Sequence, residues 1–346
     1  MGYRKIVVGT DGSATAFRAQ HKAVRFARKV DADVIVTCAF GETGIDVSAA
    51  SENVARAQKS AERYGVQVRP VVKAGEAGET LAEVARSEEA DLIVVGDVGM
   101  GEARRFRLGG AAERAAHSAP CDVLIVRTRR RIKKIRGSAI YRGIVVGTDG
   151  SGTSSEAVRK AFDLGMMLET GVRVVYVAGD SLVGAIALER AVQTKPDWVP
   201  VTSELVKGKA AEKLQDVATQ RDCDLIVVGN KGVRGARRIL LSAVPVELSH
   251  RAPQDVLIAK TMNLSASDIP PGQGGVVNVS GEKVALYVDE SGRMHPLSAR
   301  CQHMGCTIDW NPADKTWDCP CHGSRYGTDG AVIQGPATRP LTPKTI

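Results

Sequence analysis

An internal repeat constrains this chain more than any other feature. Tyr3 to Ser13 read YRKIVVGTDGS and Tyr141 to Ser151 read YRGIVVGTDGS, ten of eleven positions identical. DLIVVGDVG (Asp91 to Gly99) returns as DLIVVGNKG (Asp224 to Gly232), and APCDVLIV (Ala119 to Val126) returns as APQDVLIA (Ala252 to Ala259). The repeat predicts two copies of one domain, residues 1–128 and 140–260, joined by a linker at 129–139. Residues 261–346 share nothing with either copy and read as a further domain.

Within a copy, short runs rich in Val and Ile alternate with longer amphipathic stretches. IVVGT precedes a helix-like segment with Ala16, Ala19, Ala23, Phe26 and Val30 at spacings of three or four, and DVIVTCAF follows. Strands apolar on both faces that alternate with helices indicate a parallel sheet covered on both sides, a doubly wound α/β fold. Its ligands would sit where loops leave the C-terminal ends of the strands. DVLIV and its counterpart in the second copy are candidate pairing strands, through which the tandem copies would pack as an internal pseudo-dimer.

The formal charge is +8, from 47 Lys and Arg against 39 Asp and Glu. Much of the excess sits in one stretch, Arg127, Arg129, Arg130, Arg131, Lys133, Lys134 and Arg136. Without interleaved aromatic residues for base stacking it reads as a solvated linker and not as a nucleic-acid contact. An apolar fraction of 43% with 25% charged residues excludes disordered, collagen-like and coiled-coil chains. No run approaches the length of a membrane span, and Met1 to Ile6 leads straight into a strand-like segment with no secretory signal. The expected compartment is the cytoplasm, where clustered cysteines more often bind metal than form disulfide frameworks.

Asp11-Gly12-Ser13 and Asp149-Gly150-Ser151 follow the first strand of each copy, and Gly96-x-x-Gly99 and Gly229-x-x-Gly232 follow a later one. Glycines at such turns let backbone N–H groups approach phosphate oxygens at a helix N-terminus. This constellation resembles the universal stress protein family over nearly the whole of both copies. In nucleotide-binding members an Asp after strand one contacts the nucleoside, and G-x2-G-x9-G-(S/T) holds the phosphates. The resemblance implies ATP as ligand, with Asp11, Gly96, Gly99 and Gly109 in the first copy and Asp149, Gly229 and Gly232 in the second. Gly110 stands where the first copy should carry a hydroxyl; Ser242 and Ala243 take the third glycine and hydroxyl positions of the second. No paired carboxylate or general base stands beside the glycines, so binding without rapid turnover is expected.

After Lys260 the pattern changes to short strands broken by turn signals, VVNV, VALYV and RMHPLSA, which read as an antiparallel β meander. Into it are set Cys301-Gln302-His303-Met304-Gly305-Cys306 and Cys319-Pro320-Cys321-His322-Gly323-Ser324. A two-loop zinc site commonly uses C-x2-4-C knuckles or an H-x3-5-H pair. Here each loop offers one Cys and one His, which suits a 2Fe-2S cluster with two thiolates on one iron and two imidazoles on the other. The segment strongly resembles the Rieske iron-sulfur family, whose boxes C-x-H-x-G-C and C-x-C-H-G-S both stand intact. The resemblance implies Cys301 and Cys319 on the inner iron, His303 and His322 on the outer, and a disulfide between Cys306 and Cys321. It also implies hydrogen bonds from Ser324 and Tyr326 that tune the cluster, with Gly335-Pro336-Ala337 as a covering proline loop.

The remaining residues read blandly. Cys38, Cys121 and Cys223 sit singly in or beside apolar strands and read as buried structural thiols. His21, His117 and His250 lie on helix-like segments with no evident partner and read as solvated. His295 lies outside both boxes, and Trp310 and Trp317 read as core packing. The whole chain reads as a soluble Rieske electron-transfer or redox-sensing protein whose stress-protein domains bind ATP, needing an electron donor and an acceptor. Two alternatives stand beside that reading: a stress-response nucleotide-binding protein with the cluster as oxidant sensor, and an electron-transfer component of a multi-protein oxygenase.

Overall fold

The computed structural model describes residues 2–42, 44–99, 108–128, 139–150, 152–177, 181–230, 243–260, 266, 269, 271–279, 282–311, 314–319 and 322–345. The chain divides into two compact units, Met1–Thr261 and Met262–Ile346, and each is described by itself.

In the first unit, the first copy runs β1 (Lys5–Gly9), α1 (Ala14–Val30), β2 (Asp33–Phe40), α2 (Val47–Glu62), β3 (Val68–Ala74), α3 (Ala77–Ser87), β4 (Leu92–Gly96), α4 (Gly110–Ser118) and β5 (Asp122–Val126). The second runs β6 (Ile144–Thr148), α5 (Gly152–Met167), β7 (Val172–Val177), α6 (Ser181–Gln193), β8 (Val201–Val206), α7 (Ala210–Gln220), β9 (Leu225–Gly229), α8 (Ala243–Arg251) and β10 (Asp255–Ala259). Among the described residues these strands form one ten-stranded sheet, ordered β3-β2-β1-β4-β5-β10-β9-β6-β7-β8. Pairing is parallel within each copy, as the alternation of strand and helix predicts. At the centre β5 and β10 pair antiparallel, Leu124 opposite Leu257.

The apolar strands supply both cores. Ile6, Val8, Leu92 and Val94 face one helical layer, while Val7, Ile93 and Val123 face the other. Burying each such side chain contributes about 1.5–3 kcal/mol. Ser13 opens α1, its hydroxyl accepting from the Ala16 N–H at 3.1 Å. The buried Ala19 and Ala23 of α1 present small side chains to the sheet.

The junction between copies is reciprocal. Asp122 accepts from the Tyr3 hydroxyl at 2.7 Å, from Lys160 Nζ of the second copy at 2.5 Å, and from the Lys260 N–H at 2.8 Å. Asp255 accepts from the Tyr141 hydroxyl at 3.0 Å, from Lys22 Nζ of the first copy at 2.6 Å, and from the Arg127 N–H at 2.9 Å. The side chains that follow the paired strands then cap the other copy's helices. Arg127 Nη2 donates to Leu248 O and Ser249 O of α8 at 2.7 and 2.8 Å, and Lys260 Nζ donates to Ala116 O of α4 at 2.7 Å. Arg127 is therefore no part of a solvated linker: its side chain is 9% exposed, because helix-end carbonyls and Asp97 satisfy its charge. The basic residues at 129–136 lie outside the described residues.

In the second unit, β11 (Gln273–Val279), β12 (Glu282–Val288) and β13 (Met294–Ser298) form the expected antiparallel meander. A second antiparallel sheet follows, β14 (Asp309–Asn311), β15 (Thr316–Asp318), β16 (Arg325–Tyr326) and β17 (Val332–Gln334). Its core gathers Leu297, Ile308, Trp317, Tyr326, Leu341 and the side chains of Cys301 and Cys319.

Burial pushes the Asp122 carboxyl up from its ordinary value, and Lys160 and the hydrogen bonds act against that rise. Asp122→Ala removes the shared acceptor of Tyr3, Lys160 and the Lys260 N–H and leaves Lys160 only the Lys260 carbonyl at 3.0 Å and Glu156 at 3.8 Å, at a cost of about 3–5 kcal/mol. Calorimetry should show the Tm of the first unit lowered by about 10 °C; an unchanged Tm would contradict the structural weight given to this carboxylate.

Candidate functional sites

The two Cys/His boxes fold into matching turns. In the first, between β13 and β14, the Cys301 N–H donates to Cys306 O at 2.8 Å and the Gly305 N–H donates to Cys301 O at 2.9 Å. In the second, between β15 and β16, the Cys319 N–H donates to Ser324 O at 2.7 Å and the Gly323 N–H to Cys319 O at 3.0 Å. Gly305 and Gly323 carry φ of 73° and 75°, the left-handed conformation that glycine adopts without cost. Each turn is thus anchored on its first cysteine.

The donors separate by depth. Cys301 and Cys319 are each 2% exposed, whereas His303 and His322 are exposed, their rings edge to face with centroids 4.9 Å apart. Among the described residues no three His, Cys, Asp or Glu side chains close on one point; the four donors stand as a thiol pair and an imidazole pair.

The Cys301 thiol is met by hydroxyls. Tyr326 Oη lies 3.1 Å from Cys301 Sγ and accepts from the Gln302 N–H at 3.0 Å, which leaves its proton for the sulfur. Burial alone would push the Cys301 thiol up. Hydrogen bonds from Tyr326, the His303 N–H and Ser324 outweigh it and hold the pKa below the ordinary thiol value. The Tyr326 hydroxyl is pushed up to about 12 by burial and by its bond to Cys301, so it remains a donor at neutral pH. Fully buried Ser324 accepts from the Ala337 N–H at 3.0 Å, tying the Gly335-Pro336-Ala337 loop to the second box. Arg325 braces the entry to that box by two bonds of 2.9 Å to Asp318. A sulfur-rich, hydroxyl-lined interior with two imidazoles at the surface fits a cluster that takes two thiolates and two neutral imidazoles. Cys306 is a half-buried thiol in no disulfide among the described residues, and Cys321 lies outside them.

In the first unit, Asp11, Gly96, Gly99 and Gly109 line one cavity of about 280 Å³ at the C-terminal ends of β1, β2 and β4. That is close to the lower end of small-ligand pockets, about 300 Å³. Gly109 is the N-cap of α4, and the cavity is also lined by Gly110, Ala111 and Ala112, the first turn of that helix with its unpaired N–H groups. A Cβ at Gly99 would stand 2.7 Å from Asp11 Oδ2, so glycine is required for the carboxylate to occupy its place. The Asp11 side chain also accepts from the Ser13 N–H at 2.9 Å.

Thr37, Ala39, Ile45, Glu76 and Leu81 also line the cavity. No motif marks them; the only sequence signal is their place at the end of β2, in the loop after it, or at the start of α3. In the second copy, Asp149 is exposed, its N–H 3.3 Å from Ser154 Oγ, and Gly229 is buried against the Thr153 carbonyl. Gly232 and Ser242 lie outside the described residues.

Two histidines read as solvated have partners. His21 Nε2 bonds the Tyr64 hydroxyl, and His250 Nδ1 accepts from the Leu108 N–H at 3.2 Å. Both partners are remote in sequence, beyond the reach of helical spacing. Cys38, Cys121 and Cys223 are buried as expected; burial pushes the Cys121 thiol up to about 12, beyond reactive range at neutral pH. His295 pairs with Asp289 at 2.7 Å, and the Trp310 and Trp317 rings pack with centroids 4.9 Å apart.

Comparison with known proteins finds a family for each part of the chain. The universal stress protein family model matches residues 2–127 and 181–260, and the Rieske [2Fe-2S] domain model matches residues 260–344. Over 97 residues the chain is 37% identical to the cytochrome b6-f complex iron-sulfur subunit 2 of Nostoc, covering 28% of this chain and 50% of that one. Over 76 residues it is 41% identical to the cytochrome b6-f complex iron-sulfur subunit of Chlorobaculum tepidum, covering 22% and 41%. The chain thus spans half or less of these curated relatives. A universal stress protein from Archaeoglobus fulgidus superposes with a TM-score of 0.59 over 74% of this chain and 98% of its own, a likeness of fold at 15% identity. Among the described residues no helix is long and apolar enough to cross a membrane.

The Ser324 hydroxyl is the acceptor for the buried Ala337 N–H, so Ser324→Ala leaves a donor unmet at a cost of about 1–3 kcal/mol. Denaturant unfolding followed by tryptophan fluorescence should show the second unit destabilised by that amount; no change would mean the proline loop is held by other contacts.

Proposed function

This chain belongs to the universal stress protein family and carries a Rieske [2Fe-2S] domain over residues 260–344, and on that premise we propose that it is a one-electron carrier or redox sensor whose first stress-protein copy binds ATP. In this reading Cys301 and Cys319 hold the inner iron, and His303 and His322 hold the outer. When bound, such a cluster supplies one-electron chemistry at roughly −150 to +300 mV. What supports the assignment is the depth partition of the donors, two thiols inside and two imidazoles at the surface, with Tyr326 Oη 3.1 Å from Cys301 Sγ.

The chain's own residues then set the conditions for electron transfer. The exposed imidazoles offer the way in and out, while Trp317, Ile308 and Leu341 exclude water behind the thiols. Hydrogen bonds from Tyr326 and Ser324 toward sulfur strengthen as negative charge accumulates there, which places the potential in the upper part of the range. A disulfide between Cys306 and Cys321 would tie the two turns together. Native-state alkylation and mass spectrometry should find both sulfurs protected; two alkylated box cysteines would remove the bridge. The cytoplasm is the compartment in this reading, and redox partners are a donor and an acceptor that meet the imidazole face.

ATP is assigned to the first copy because Asp11, Gly96, Gly99 and Gly109 share one cavity with the first turn of α4. The phosphates would meet the α4 N–H groups and the nucleoside would meet Asp11. Asp11→Ala should weaken ATP binding about tenfold by equilibrium dialysis, the loss of one hydrogen bond to a charged group. No binding by the unaltered chain at millimolar ATP would sink the assignment.

A redox titration followed by EPR and visible absorbance tests the metal centre. A Rieske-type signal in the reduced protein is expected, and a colourless zinc protein would refute the reading. Tyr326→Phe should lower the midpoint by about 60 mV, the equivalent of about 1.4 kcal/mol in a one-electron couple; an unchanged midpoint would remove the tuning role.

A further inference from the structure

The second copy reaches the cavity of the first. His250, in the last turn of α8, accepts from the Leu108 N–H at 3.2 Å, and Leu108 directly precedes Gly109, the N-cap of α4. Leu108 is 5% exposed, with its side chain in the core that also holds Leu248 and Ala252 of the second copy. A second link runs beside the first. The Gly109 N–H donates to Asp97 O at 2.8 Å, Asp97 Oδ2 lies 3.7 Å from Arg127 Nη1, and Arg127 Nη2 donates to Leu248 O and Ser249 O, the carbonyls just before His250. The start of α4 is therefore fastened at two consecutive residues to the end of α8. The second of these, Gly109, lines the cavity, as do the first three residues of α4.

We propose that His250 is a positioning residue for the ligand of the first copy: by accepting the Leu108 N–H across the junction, it holds the α4 N-terminus where its N–H groups receive the phosphates of a nucleoside phosphate. The inference rests on the nucleotide reading above and adds that the site is not complete within one copy. Only a neutral imidazole with its proton on Nε2 can accept at Nδ1. Without that acceptor the buried Leu108 N–H loses its partner, and Leu108–Gly109, which leads into α4, loses the first of its two attachments. The part of the cavity built by Asp11, Thr37 and Ile45 stands on the loop after β1, on β2 and on the loop after β2, and takes no part in either link to α8. The imidazole should therefore matter for phosphates and not for the nucleoside.

The test uses the full chain with His250→Ala and His250→Asn, the latter placing an amide oxygen near the position of Nδ1. Affinities for ATP and for adenosine are measured by calorimetry, with melting temperatures as a check on folding and amide exchange over residues 108–112 measured without nucleotide. His250→Ala should weaken ATP about tenfold, leave adenosine within about twofold, and speed exchange at Leu108 and Gly109. His250→Asn should restore both ATP affinity and slow exchange. If ATP and adenosine weaken alike, or neither changes, the positioning role is overturned while the nucleotide reading stands. If the unaltered chain binds no ATP, the nucleotide reading falls and takes this inference with it.

Discussion

Two buried carboxylates, Asp122 and Asp255, govern the first unit. Each joins a tyrosine of its own copy to a lysine and a backbone N–H of the other. A buried carboxylate is costly unless its lone pairs are met, and here three donors converge on each. The pairing of β5 with β10 closes the two sheet edges that the separate copies would expose, leaving β3 and β8 at the ends of the sheet. The helix-capping reach of Arg127 and Lys260, and that of His250 to Leu108, all follow from this register. A slip of one residue would turn Val123 and Ile125, and their partners Ile258 and Val256, away from the core they fill.

The second unit depends on a different contrast, that between depth and exposure. Two turns of the same backbone form place their first cysteines inside and their histidines outside. The histidines come from different positions in those turns, the third residue in one and the fourth in the other. The offset lets both imidazoles arrive at the surface with rings edge to face. Hydroxyls from Tyr326 on β16 and from Ser324 just before it meet the Cys301 thiol, which the His303 N–H also reaches from the first box.

Much of this was legible in the sequence, for physical reasons. The repeat declared itself because both copies keep the same apolar strands and the same Asp-Gly-Ser turn, and DVLIV with its counterpart proved to be the central pair. The boxes were legible because each is a short-range motif, its Cys, His and Gly falling within six residues of one turn. The carboxylate junction was not: an Asp before an apolar strand ordinarily reads as a turn residue, and only tertiary structure brings Lys160 to Asp122. Arg127 was hidden in a basic run that suggested solvent, and His250 in a helix end whose partner lies 142 residues away. The walls of the cavity, Thr37 and Ile45 among them, carry no motif because they contribute shape and not a fixed backbone conformation.

The central claim, that one chain carries both a Rieske cluster and a nucleotide site in its first copy, is most directly tested by native mass spectrometry of the purified protein with and without ATP. The account predicts the mass of one 2Fe-2S cluster per chain and, on addition of ATP, one bound nucleotide that disappears in Asp11→Ala. A chain that carries zinc in place of iron and sulfide, or a nucleotide whose binding ignores Asp11, would contradict it.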